Sequence, residues 1–457
     1  MGQRFQRRRF LQLASWTIAG AGLTAFGIPP RPASQPRSVK PNPLPSPQPA
    51  RSNPRSNSRS NKIIPIGLLH SLSGTMAISE MGCLDAEMLA IEEINKMGGL
   101  LGQEIEPIIE DGASDWPTFR KKAEKLIGQD RVLTIFGCWT SASRRASLPI
   151  YEAQNHMLWY PVYYEGQECS RNIFYTGAVP NQQVEPSVNW ILKTFPGQTC
   201  FLVGSDYVYP RVVNTVLKTL ILAKKGTYIG EEYLPLGDMD VDLIIQKIRQ
   251  TMPKGGVILN SLNGDSNIAL FTALKQQSMS PKRYPVLSFN ITENETLAIG
   301  SEYLRGHYAA WNYFQTLKHE ANQKFIKAFR AKYGAQRRLN DPMASAYTAV
   351  YIWKQSVEKA GTAQDVEAVR RAAIGQTFVS PMGRVTLNRN HHLSKPFYIG
   401  QVRSDGLFNI VYGSAGPIAP EPWSQAIAET KGYACDWTVP QKGGKFKTKK
   451  DTHNEMS

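Results

Sequence analysis

At 457 residues, 42% of them apolar, the chain is long enough for two packed domains and too apolar to be disordered throughout. The formal charge of +16 sits mostly at the ends: residues 1–61 hold ten Arg or Lys and no Asp or Glu, residues 441–457 hold five Lys against Asp451 and Glu455, and only +3 is left for residues 62–440. A body so nearly neutral, with no basic stripe and no aromatic-basic motif, argues against a nucleic-acid partner.

Residues 1–28 read as an export signal: Arg7-Arg8-Arg9-Phe10-Leu11 stands ahead of an apolar stretch over 13–26 that contains Ala19, Gly20, Ala21 and Gly22. Two Arg followed by x-Phe-Leu resemble the twin-arginine signal, with the basic region of a general secretory signal as the alternative. The apolar run falls short of the ~20 residues that cross a bilayer. With no Cys before Cys83, a lipid-anchored mature N-terminus is not expected. Residues 29–61 hold ten of the thirty prolines among Ser, Asn and Arg, without apolar periodicity, and read as a solvated linker.

From residue 63 strands and helices alternate. A strand over 63–69 leads through the polar turn Ser71-Leu72-Ser73-Gly74 to a helix with apolar Leu84, Met88, Ile91 and Ile94, ended by Gly98-Gly99. The unit recurs as strand 104–110 with helix 116–127, strand 132–136 with helix 143–154, strand 200–203 with helix 212–223, and strand 256–259 with helix 266–277. Helices over 320–333 and 343–360 and short strands near 377–379, 384–386, 397–402 and 407–411 follow. Such alternation means an α/β fold of parallel sheets flanked by helices. The series is too long for one sheet and changes course at residues 175–180, so two lobes with a cleft are expected, the chain crossing between them more than once. Ligands of such sheets bind beyond the carboxyl ends of the strands.

Four strand-end loops stand out. Trp139, Thr140 and Ser141 open a helix with hydroxyls and free N–H groups that suit a carbonyl oxygen or an anion, against the plainer reading of helix caps. Tyr160, Tyr163 and Tyr164, beside Trp159, offer rings that are apolar on the face and hydrogen-bonding at the edge. Tyr207 and Tyr209 start a third helix, and Asn263 and Asp265 lie in a fourth loop, where Asp265, like Asp206, is equally read as a helix cap. No loop supplies a nucleophile with an assignable base, so no catalytic residue is expected. The pair His391-His392 would point to opposite faces of a strand, so neither a metal site nor a cofactor is expected. The five cysteines, Cys83, Cys138, Cys169, Cys200 and Cys435, show no C-x-x-C spacing; one pair can be bridged after export, and spacing does not choose it.

With these residues in hand, the chain resembles the urea or short-chain-amide binding components of ABC importers, in the type I periplasmic binding-protein superfamily. The matching segments are 67–80 (GLLHSLSGTMAISE), 110–117 (EDGASDWP), 136–144 (FGCWTSASR), 160–166 (YPVYYEG), 175–183 (YTGAVPNQQ), 204–211 (GSDYVYPR), 262–267 (LNGDSN) and 306–315 (GHYAAWNYFQ). The resemblance implies two lobes joined by three crossovers and closing on a ligand. It also implies an amide-type pocket built from residues 139–141, Tyr160 to Tyr164, Tyr207, Tyr209 and the 263–265 loop. Lobe I is expected at 62–183 and 314–375, lobe II at 184–313 and 376–425, and a Lys-rich tail at 426–457. The implied partners are urea or a short amide and an ABC permease in the cytoplasmic membrane, with a periplasmic location and no enzymatic activity. A branched-chain amino-acid binder and a periplasmic sensor for a membrane receptor are the alternatives.

Overall fold

The structure is a computed structural model that describes residues 63–448; the expected export signal, the linker and the end of the Lys-rich tail lie outside the described residues. In chain order the first half runs β1 (Ile63–His70), α1 (Ala77–Lys96), β2 (Glu104–Asp111), α2 (Trp116–Gly128), β3 (Ile135–Gly137), α3 (Ser141–Ala153), β4 (Leu158–Tyr160), β5 (Ile173–Tyr175) and α4 (Pro180–Thr194). Next come β6 (Thr199–Ser205), α5 (Val208–Ala223), β7 (Thr227–Leu234), α6 (Asp242–Thr251), β8 (Val257–Ser261), α7 (Ser266–Gln276), β9 (Val286–Ser288), α8 (Glu293–Ile299), α9 (Ser301–Leu304) and β10 (Tyr308–Trp311). The last part holds α10 (Glu320–Tyr333), α11 (Asp341–Ala360), α12 (Val366–Ala373), β11 (Thr377–Ser380), β12 (Gly383–Leu387), β13 (Leu393–Ser394), β14 (Tyr398–Val402), β15 (Phe408–Gly413), β16 (Tyr433–Ala434) and β17 (Phe446–Lys447).

Five strands form one parallel sheet in the order β2-β1-β3-β4-β5. Seven form a second, β15-β14-β10-β9-β8-β6-β7, parallel from β7 to β10. The two-lobed α/β expectation thus holds, with one addition: β14 and β15 run antiparallel at the edge of the second sheet. The chain leaves the first sheet after β5, builds the second through β10, and returns in α10 and α11, of which α11 packs on α1 and β3; it then re-enters the second sheet at β14.

Sequence chemistry explains the well-formed units. The apolar run of β1 is buried on both faces, as an inner strand of a helix-covered sheet must be. Gly137, at φ +142°, ends β3 where a Cβ would stand 2.0 Å from the Leu69 carbonyl oxygen, so only Gly fits. Asn340 caps α11 by accepting from the Met343 N–H at 3.0 Å, and Gly361 ends it in the left-handed region at φ +71°.

The C-terminal segment read as a tail folds back onto the first half of the chain as far as residue 448. Cys435 forms a disulfide with Cys169, and just ahead of the segment the Pro422 carbonyl accepts the Gln167 N–H at 2.7 Å. The Trp437 ring stacks on His391 at 5.9 Å between centroids. Cys83, Cys138 and Cys200 are free and buried.

Candidate functional site

The loops and helix starts after β1 and β4 of the first sheet meet those after β6, β8 and β9 and the end of β10 of the second. Thr75 Oγ1 donates to Asp265 Oδ2 at 3.1 Å, Ser79 Oγ donates to Glu295 Oε1 at 2.8 Å, and the Tyr163 hydroxyl donates to Asn263 Oδ1 at 3.1 Å. Asn263 passes the contact on, its Nδ2 donating to the Tyr207 hydroxyl at 3.0 Å. The Tyr163 ring lies edge-on to Tyr209 at 4.9 Å, to Trp311 at 5.0 Å and to Trp139 at 6.4 Å. Burial pushes the hydroxyls of Tyr163, Tyr207 and Tyr209 well above the ordinary tyrosine range, so they stay neutral donors.

Behind this wall stands a buried charge network. Arg144, on α3, donates through Nε to Glu168 at 2.8 Å and lies 3.5 Å from Glu165, with its guanidinium over the rings of Tyr164 (4.4 Å) and Tyr160 (4.8 Å). Arg145 faces the same two carboxylates at 3.3 and 3.6 Å. Burial, the largest single influence, would raise the Glu168 pKa; Arg144, the Tyr175 hydroxyl and Arg145 together outweigh it and hold that carboxyl below its usual range.

The ten residues singled out from sequence fall into three groups. Trp139, Tyr163, Tyr207, Tyr209 and Asn263 come together at the meeting of the lobes, and the Trp139 Nε1–H and the Tyr209 hydroxyl are buried without a protein partner. Asp265 precedes α7 but makes no cap bond; its carboxylate instead accepts from Thr75 on the other lobe. The other four are engaged elsewhere. Thr140 caps α3 through the Ser143 N–H at 3.0 Å, Ser141 Oγ donates to Glu165, and the Tyr160 hydroxyl donates to the Trp139 carbonyl. The Tyr164 hydroxyl turns away, to the Glu168 carbonyl at 2.8 Å and the His392 ring at 2.7 Å.

Reading the sequence missed Arg144, Glu165, Glu168, Glu80, Trp311 and the pair Ser79–Glu295. Arg144 offered one signal: it stands three residues after Ser141, on the same face of α3 as that loop. Cys138, the nearest thiol, is fully buried, and burial pushes its pKa far up, with Glu80 adding to the push. It is therefore no thiolate nucleophile. The arrangement suits holding a small molecule between two walls.

Residues 64–429 match the family described as periplasmic binding protein domain. The Leu/Ile/Val-binding protein BraC3 of Rhizobium johnstonii is 23% identical over 352 residues, covering 72% of this chain and 89% of that one. A stretch of 124 residues is 33% identical to a limonene hydroxylase of Geobacillus stearothermophilus, covering 27% of this chain and only 23% of that protein's length. Among solved structures, a solute-binding protein of an ABC transporter from R. palustris, crystallised with benzoate, superposes with a TM-score of 0.70 at 19% identity, covering 79% of this chain and 99% of that one.

Proposed function

We propose, from the premise that this chain belongs to the periplasmic binding protein family, that it captures urea or a short-chain amide between its lobes and delivers it to an ABC permease. The carrying observation is the charge state of the site. The ring and amide groups that meet across the cleft, Tyr163, Tyr207, Tyr209 and Asn263, are neutral, the acidic groups that meet there, Asp265 and Glu295, are acceptors, and the arginines behind them, Arg144 and Arg145, already face Glu165 and Glu168. Among the described residues no cation there lacks a carboxylate partner, so a leucine-type or benzoate-type carboxylate would have to rely on N–H and hydroxyl donors alone, whereas a neutral amide meets groups of its own kind. The names of the relatives favour an amino acid instead, and that is the second reading. Delivery to a permease and a periplasmic location rest on what the family does, together with the Arg7-Arg8-Arg9 signal.

Urea has four heavy atoms, so at ~1.5 kcal/mol per atom it returns about 6 kcal/mol, a dissociation constant of roughly tens of micromolar. Calorimetric titration of the full chain with urea, acetamide and leucine tests the reading. Heat from urea or acetamide and none from leucine is expected, with urea recovered unchanged afterwards; heat from leucine alone replaces the amide by the amino acid.

A further inference from the structure

A second buried charge cluster lies in the first half of the chain, at the start of α1. His70 at the end of β1 and Glu80 and Glu87 on α1 are each at most 1% exposed. His70 Nε2 bonds Glu87 Oε2 at 2.9 Å, and His70 Nδ1 lies 3.7 Å from Glu80 Oε2. Glu80 Oε2 also accepts the Ser71 N–H at 2.7 Å. That bond is all the turn into α1 requires, yet Glu80 Oε1 is buried without a partner. That oxygen is out of water and short of a donor, and a further N–H would satisfy it.

The position of Glu80 says where that donor comes from. Its neighbour Ser79 donates across the cleft to Glu295, and Thr75, one turn earlier, donates to Asp265. Glu80, bonded to Ser71 at the end of β1 and next in sequence to a residue bonded to the opposite lobe, stands at the strand-end floor where the lobes meet. Glu87 lies seven residues, about two turns, farther along α1. The buried Trp139 Nε1–H is an unpartnered donor in the same cleft. With the Tyr209 hydroxyl, likewise buried without a protein partner, these groups complement an N–H and a C=O of a small molecule.

We infer that Glu80 is a ligand-contacting residue whose Oε1 accepts an N–H of the bound molecule, that His70 and Glu87 position it, and that it selects for N–H donors and against carboxylates. The inference deepens the amide reading and rests on it for the choice of first probe.

Its test is calorimetry on the full chain and on Glu80→Gln, with urea, acetamide, leucine and benzoate as probes. Glu80→Gln keeps an acceptor for Ser71 but turns an NH2 toward the cleft. Urea binding should weaken by roughly 10- to 100-fold, while the melting temperature of the free protein stays within about 3 °C of the parent. Equal urea affinity in parent and variant overturns the inference and leaves the amide reading standing, the free oxygen then meeting only water. If the parent binds leucine and not urea, the amide reading fails. Glu80 is then judged on leucine, whose ammonium carries the donors: weaker binding by the variant supports it and equal binding overturns it. A parent that takes only benzoate, or none of the probes, overturns both. Should Glu80→Gln not fold, Glu80→Asp, which keeps the charge and draws the oxygen back by one methylene, is measured with the same deciding results.

Discussion

The two walls of the cleft are built on different principles. The wall after β1, β3 and β4 is backed by ions: Arg144 between Glu165 and Glu168, and His70 between Glu80 and Glu87. The wall after β6 and β8 presents the neutral groups Tyr207, Tyr209 and Asn263 at its centre, with the carboxyls of Asp265 and Glu295 beside them, and part of their bonding comes from Tyr163, Thr75 and Ser79 across the cleft. Buried ions whose partners lie within one lobe fix geometry whether or not the lobes meet, because losing either partner strands a charge. Neutral groups whose partners lie across the gap can be separated and rehydrated at ~1 kcal/mol per bond. The first wall is thus held within its own lobe, and the second depends in part on partners from the other lobe.

The contrast can be broken first at His70. Burial by itself would lower its pKa, but Glu87, with Glu80, carries it up to about 10 from an ordinary 6.5. A raised folded-state pKa stabilises fully below pH 6.5 and loses its effect as pH rises toward 10, a difference of up to ~5 kcal/mol. Denaturant titrations from pH 6 to 10 should show the parent's advantage over His70→Gln shrinking across that window; an advantage independent of pH would mean the ring is neutral. Arg144→Met strands Glu165 and Glu168 and should destabilise the free protein by ~3–5 kcal/mol in the same assay. Against these, Tyr163→Phe should leave the denaturation midpoint of the free protein unchanged and weaken urea binding by ~1–3 kcal/mol in calorimetry. The smallest effect belongs to Asp265→Ala: its bond to Thr75 lies at the half-exposed rim, and less than about 1 kcal/mol of affinity should be lost. Equal destabilisation by Arg144→Met and Tyr163→Phe would erase the distinction between the walls.

Long elements with clear periodicity were legible in the sequence: β1, α1, β2, α2, α5, α10 and α11 stand within a few residues of where the apolar pattern places them. What escaped has physical causes. β4, β5 and β9 are three residues each, too short to carry a period. β7 is a partly exposed edge strand interrupted by Glu231 and Glu232, and α4 contains Pro180 and Pro186, which read as breaks although Pro180 opens the helix and Pro186 sits inside it. In the cleft, the aromatic residues were visible because rings clustered after a strand have few other uses. The ions were not, because Arg144 and Glu80 occupy helix positions where a charged side chain is ordinarily solvated, and only the fold reveals that the neighbouring helix or loop covers it. Thr140 and Tyr164 show the converse, polar groups that looked available and are spent on a cap and on His392.

The bridge between Cys169 and Cys435 closes a covalent ring 266 residues apart in sequence, and every strand of the second sheet, from Thr199 to Gly413, lies inside it. Tension applied to the two ends of the chain therefore passes through the sulfurs and cannot unravel that lobe until they are reduced. A single endoproteolytic cut anywhere within the ring leaves two fragments that migrate as one molecule until a thiol is added. The lobe built on the second sheet is thus the mechanically shielded one.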